Sequence, residues 1–141
     1  MKAKQLSVFI ENKTGRINEM AKILADGNIN MTAFSIAENA DFGIMRVIVS
    51  DPQRAMTLLR DHHFAVNLTD VVCLNCPNTS GSLSRVLELL AEEEVFIEYM
   101  YAFSEGEMAS VVIRPNDIQK CIEVLRRHET EITGASQLRE I

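Results

Sequence analysis

Two short segments carry the side chains best suited to grip a small polar ligand: Asn12-Lys13-Thr14-Gly15-Arg16-Ile17 and Asn78-Thr79-Ser80-Gly81-Ser82-Leu83. Each asparagine offers a donor and an acceptor. Each glycine precedes a helical pattern and lets the backbone approach a ligand closely. The N–H groups of a first helical turn lack intrahelical acceptors and favour an anion such as a carboxylate. A zwitterionic amino acid needs that mixture, with N–H groups for its carboxylate and side-chain and backbone oxygens for its ammonium. Asparagine and glycine are also ordinary turn residues, so a purely structural role stands beside the functional one.

Other reactive side chains read as structure. Cys73-Leu-Asn-Cys76 has the spacing of a metal or redox pair, but it falls inside a strand pattern. Residues three apart on a strand point to opposite faces, so both thiols cannot reach one metal. His62 and His128 sit near the ends of helical patterns, where packing or capping accounts for them, and Glu92-Glu-Glu94 reads as a solvated helix end. No Ser-His-Asp arrangement, phosphate-binding glycine loop or paired-carboxylate cleft stands out. No catalytic residue, metal or cofactor is expected.

The elements that position the two segments occur twice. Gly15 and Gly81, Asn12 and Asn78, Asp51 and Asp117, and His62 and His128 are each 66 residues apart. A period of this length means two copies of one folded unit, placed at residues 1–70 and 71–141. Leu6, Val8 and Ile10 alternate as in a half-buried strand. Ile17, Met20, Ala21 and Leu24 fall at helical spacing, with a helix start near Thr14 or Gly15 and a stop at Gly27. Two strand-forming runs, residues 30–38 and 42–50, are linked by Asn39-Ala-Asp41. Asp51-Pro52 then caps a second helix, and Phe64 to Leu68 begins a fourth strand. The second copy repeats this βαββαβ order, with Glu131 to Leu138 expected to close its sheet. Residues 66–74 contain no Gly, Pro or Ser, so the fourth strand of one copy can run directly into the first strand of the next.

Such a unit is an α+β, ferredoxin-like fold with two helices on one face of an antiparallel sheet. Strands two and three are apolar on both sides, through Met31, Ala33, Phe34 and Ile36 and again through Ile97, Tyr99, Met100, Tyr101 and Phe103. That pattern predicts a covered second face, hence a homo-oligomer (a homodimer) or a larger partner. A net charge of −6 and a pI near 5.1 argue against nucleic acid or an anionic membrane. No apolar run approaches the roughly 20 residues of a membrane span, and the N-terminus lacks a signal-peptide core, so a cytoplasmic protein is expected. Three cysteines give no disulfide framework.

The order strand, Glu-Asn-Lys-Thr-Gly-Arg-Ile, amphipathic helix, Gly-Asn-Ile-Asn, taken twice, resembles a tandem pair of ACT domains over nearly the whole chain. These are small regulatory modules that bind amino acids. The resemblance implies a non-catalytic sensor of a free amino acid, with its output passed to a separate enzyme or regulator. In serine-binding members, the loop asparagine and one at the start of strand two hold the ligand across an interface between domains. By position these are Asn12 and Asn30. ACT units commonly join edge to edge through strand two. Paired so, Asn12 would face Phe96 and Ile97, and Asn78 would face Asn30 and Met31. Two departures matter. Thr14 and Ser80 replace the usual proline before the glycine, where a hydroxyl could cap the helix instead. Phe96 replaces Asn30 in the second copy, so the two sites are not equivalent, and the first loop is favoured. The alternative is a protein-interaction module that acts through its apolar sheet face and keeps only a vestige of the ligand site.

Overall fold

The computed structural model describes residues 1–133 except Ala40, and omits the side chains of Glu105 and Thr133. Its elements are β1 (Lys2–Glu11), α1 (Arg16–Asp26), β2 (Met31–Glu38), β3 (Phe42–Val49), α2 (Pro52–Asp61), β4 (Ala65–Pro77), α3 (Ser82–Glu92), β5 (Ile97–Glu105), β6 (Met108–Pro115), α4 (Ile118–Arg127) and α5 (Glu129–Thr133). The chain divides into two compact units. The first is Lys4–Thr69, and the second is Asp70–Ile141 together with Met1–Ala3.

In the first unit the strand order is β2-β3-β1-β4, with antiparallel β1–β3 and β2–β3 ladders. β2 therefore runs parallel to β1, and among the described residues no strand lies beside its outer edge. Alternation works as the sequence requires, and Leu6, Val8, Met45 and Val47 point to the helices. They pack against Met20 and Leu24 of α1 and Ala55 and Leu59 of α2, all fully or almost fully buried. The second unit builds its core from Val72, Leu74, Val111, Ile113, Val86, Leu90, Cys121 and Leu125. Each of these stands 66 residues after its counterpart. Burying one such aliphatic side chain contributes about 1.5–3 kcal/mol, so the repeat is above all a repeat of core positions.

Both second helices start as expected. The Asp51 carboxylate accepts from the Arg54 N–H at 3.2 Å with Pro52 in the first turn, and the Asp117 carboxylate accepts from the Lys120 N–H at 3.0 Å. α1 stops at Gly27 as expected, with Gly27 as its C-cap residue. Gly27 has φ −83°, and the left-handed residue is Asn28 at φ 57°. A Cβ at Gly27 would lie 2.6 Å from Leu58 Cδ1 of α2, so the Leu58 side chain would have to turn aside for a larger residue here.

The second unit closes differently from the sequence expectation. Its fourth strand position, beside β4, is held by the start of the chain, where the Met1 carbonyl accepts from the Cys73 N–H at 2.7 Å and Met1 packs on the core. Glu131 to Thr133 belong to α5 rather than to a closing strand, and residues 134–138 lie outside the described residues. A helix satisfies its backbone internally, so once Met1–Ala3 fill the edge no strand is needed there. β4 is continuous for 13 residues, as its composition implies. The hairpin link at Asn39 and Asp41 is formed, while its middle residue, Ala40, is outside the described set.

On the sheet side away from the helices, Ala33 and Ile48 in the first unit and Cys73 and Val112 in the second are buried. The exposed apolar residues of β2 are instead Phe34 and Ile36, 57% and 45% exposed. Their ladder partners Val47 and Met45 place them on the helix side, beyond the reach of the helices. In the first unit the exposed apolar residues of β2 therefore lie along an open edge. Among the described residues no helix is long and apolar enough to cross a membrane.

Candidate functional site

The two predicted loops have the same conformation. Arg16 N–H donates to the Lys13 carbonyl, and Ser82 N–H to the Thr79 carbonyl, each at 3.2 Å. Gly15 (φ 90°, ψ −9°) and Gly81 (φ 88°, ψ −12°) take the left-handed third position of a type II turn. Thr14 and Ser80 occupy the second position, which proline also fits. Neither hydroxyl caps its helix. The N-caps are the glycines themselves, with no side-chain hydrogen bond. The expectation of a hydroxyl cap is corrected because the turn puts the threonine and serine one residue too early. The nearby hydroxyl pair is Thr79 Oγ1 and Ser82 Oγ, 2.7 Å apart.

Each asparagine ties its loop to the hairpin of its own unit. Asn12 Nδ2 donates to the Asn39 carbonyl at 2.7 Å and its backbone N–H to Asp41 at 3.2 Å. Asn39 Oδ1 in turn accepts from the N–H groups of Asp41 and Phe42 at 3.1 and 3.0 Å. Asn78 Nδ2 donates to Gly106 at 3.4 Å, and its backbone N–H to Glu107 at 2.7 Å. One amide hydrogen and Oδ1 of Asn12 remain for a ligand.

Beside each loop lies a cavity. The first, about 250 Å³, is bounded by Asn12, Lys13, Thr14 and Ile17 from the loop side, by Ile36 and Glu38 from the end of β2, and by Gly43, Ile10 and Glu11. The second, about 300 Å³, is bounded by Asn78, Thr79 and Leu83, by Ala102, Phe103 and Ser104 of β5, and by Cys76, Pro77, Ala109 and Val111. Shifted by 66 residues the linings largely superpose. Ile36 and Glu38 were not foreseen from sequence. The β2–β3 register, which sets Glu38 opposite Gly43, brings them in.

Several expected residues lie elsewhere. Arg16 is paired with Glu19 at 2.7 Å, and its guanidinium lies 4.2 Å from the centre of the Phe64 ring. Ser80, Gly81 and Ser82 border a separate hollow with Arg85 and Glu131. Met31 begins β2 and Asn30 immediately precedes it, and because β2 is parallel to β1 they sit at the opposite end of the sheet from Asn12. Asn30 is bonded to Ser50 through its backbone, and Phe96 to Asn116 in the same way. Phe96 is 66% exposed, and Ile97 begins β5. Within one unit, therefore, Asn12 does not meet Asn30, nor Asn78 Phe96.

Charge sets the cavities apart. Lys13 Nζ lies 2.9 Å from Glu11, and this hydrogen bond and charge hold the Glu11 carboxyl below its usual range. Glu38 has no cation partner among the described residues. The cysteines are buried free thiols on opposite strand faces, with Cys73 opposite Val112 and Cys76 opposite Ala109. Burial raises the Cys76 thiol above its ordinary range. Among the described residues no group of three or more His, Cys, Asp or Glu could hold a metal. His62 caps α2 through Nδ1 at 2.8 Å from the Leu58 carbonyl, and His128 Nδ1 lies 3.1 Å from Glu131.

Known structures share this architecture. Protein BT0572 from Bacteroides thetaiotaomicron is 58% identical over 92% of this chain and 90% of its own, with a TM-score of 0.89. The ligand-free regulatory subunit of aspartate kinase from Thermus thermophilus is 14% identical, covering 88% of this chain and 91% of its own, with a TM-score of 0.67. Aspartokinase III of E. coli, in complex with lysine and aspartate, is 12% identical over 94% of this chain and 32% of its own, with a TM-score of 0.60. A comparison with curated proteins finds no match. The ACT domain pair family matches residues 1–141. The two units share the βαββα order and the glycine turns, and the chain belongs to the ACT domain pair family.

Proposed function

We propose that this protein is a non-catalytic regulatory module that binds a free amino acid in the cavity beside the first loop, where a second copy completes the site. The observation that carries this is the recurrence of one cavity at equivalent positions of both units, each between a polar turn and an outer strand. The first cavity brings together unused polar atoms of Asn12, the start of α1 and the Glu38 carboxylate. These are the groups an ammonium and a carboxylate require. The outer edge of β2 and the exposed Phe34 and Ile36 suit pairing with another β2. Two copies of β2 paired antiparallel would set the start of one, at Asn30 and Met31, against the end of the other, at Ile36 and Glu38. Asn12 and Asn30 would then share one ligand although one unit keeps them apart. The lysine and aspartate complex of E. coli aspartokinase III supports the ligand class for this fold. Output would pass through a separate enzyme or regulator, with ligand favouring one arrangement of copies over another.

Calorimetry against the twenty amino acids, with Asn30→Ala as the variant, tests this. The expected result is saturable binding by a dimer, weakened at least ten-fold in the variant. Absence of heat with any amino acid, in a protein of dimeric mass, would favour a second reading. In that reading the exposed Phe9 and Phe42, on the sheet face away from the helices, grip another protein and the ligand site is vestigial.

A further inference from the structure

The two equivalent cavities do not carry the same charge. At corresponding positions Glu11 becomes Pro77, Lys13 becomes Thr79, and Glu38 becomes Ser104. In the first cavity the Glu11 and Lys13 charges cancel across 2.9 Å. Glu38 is left as a net negative charge, with no cation partner among the described residues. The second cavity has no charged side chain in its lining, where Leu83, Ala102 and Val111 add apolar surface.

We infer that the cavities take different ligand chemistry: the first holds a cationic group against the Glu38 carboxylate, and the second takes an uncharged, partly apolar group. This rests on the reading that the first cavity binds an amino acid, and it assigns the ammonium to Glu38. Asn12 Oδ1 is a second acceptor on the same cavity wall. It lies 3.6 Å from the point where a Cβ on Gly43 would stand, and Gly43 is the ladder partner of Glu38. The equivalent wall of the second unit has Ala109 and Ser104, which supply a methyl and a hydroxyl but no charge.

A unit charge pair about 4 Å apart under water-like screening is worth roughly five-fold in affinity, and more where water is excluded. The test exchanges the two residues, Glu38→Ser and Ser104→Glu. Affinity is measured for the amino acids that bind and for the same carbon skeletons lacking the amino group. Glu38 is exposed and unpaired, so its substitution leaves the melting temperature near that of the wild type. The expected result is at least a five-fold loss for the amino acid in Glu38→Ser, shrinking in 1 M salt, and no change for the deaminated analogue. Equal affinities in wild type and Glu38→Ser would overturn this inference alone, as would equal losses for both compounds. A wild-type protein that binds no amino acid would overturn the function on which it rests.

Discussion

Alanine placed at three different glycines separates three physical causes within one protein. Gly15 has φ 90°, and nothing lies within 4 Å of the Cβ it would gain. The cost of Gly15→Ala is therefore backbone strain alone, about 1–2 kcal/mol for an L-residue in the left-handed region. Gly43→Ala has no such strain. Its Cβ would make ordinary contacts at 3.6–3.7 Å, and the second unit already has Ala109 there. Loss of unfolded-state freedom makes that variant neutral or more stable by about 0.4–1 kcal/mol. Gly27→Ala meets Leu58 Cδ1 at 2.6 Å at an allowed φ, but that atom ends a flexible, half-buried side chain, so its cost lies at the low end of the overpacking range, about 1 kcal/mol, relieved in the double variant with Leu58→Ala. Urea unfolding monitored by circular dichroism gives the three differences directly. Gly15→Asn should cost less than Gly15→Ala, because asparagine tolerates the left-handed region. Equal effects of Gly15→Ala and Gly43→Ala would refute the turn geometry, and failure of the Leu58 variant to relieve Gly27→Ala would refute the packing argument.

Other outcomes follow from the same geometry. Thr14→Pro or Ser80→Pro should stabilise by about 0.4–1 kcal/mol, since the second position of the turn accepts proline; thermal melts that fall instead would contradict the turn type. Asp51→Ala and Asp117→Ala should each cost about 1 kcal/mol through loss of the bond to Arg54 or Lys120, with Asn at either site restoring most of it in the same melts. Burial, with a smaller push from Asp117, raises the Cys121 thiol to about 12 from an ordinary value near 9. Its contribution is complete below pH 9, where the unfolded thiol is also protonated, and is lost as pH climbs from 9 towards 12. Cys121→Ala should flatten that alkaline decline in urea titrations, and alanine fits by precedent, because Ala55 holds the equivalent place in the first unit.

Core positions were legible because burial writes itself as periodicity. Leu6, Met20, Met45 and Leu59 announce their partners 66 residues on, and both cores contain them. The glycine turns were legible because only glycine takes φ near 90° easily. What the sequence hid depends on contacts between distant segments. Gly27 ends α1 as its position implies, but its closeness to Leu58 of α2 shows only in three dimensions. Glu38 enters the cavity only through a ladder register that shifts between Met31 and Ala33. Asn12 looked wholly available, but half of its amide is spent on Asn39. Asn30 carries the same residue type as a ligand group, yet strand direction sends it to the far end of its sheet.

The placement of Met1–Ala3 beside β4 gives this duplicated chain an unequal pair of halves. Among the described residues, the contiguous stretch that starts at Asp70 holds α3, α4, α5 and the inner core of its unit but not the strip of backbone, Met1–Ala3, that lies beside β4. Expressed alone it would offer the open side of β4 to any extended peptide, and a short peptide of the Met1-Lys-Ala-Lys-Gln sequence is the natural complement to restore it. Folding of that half must also wait on a contact that spans some seventy residues, a slow closure by contact-order reasoning. Duplication here did not yield two self-sufficient modules, because the opening residues of the chain are on loan to its closing half.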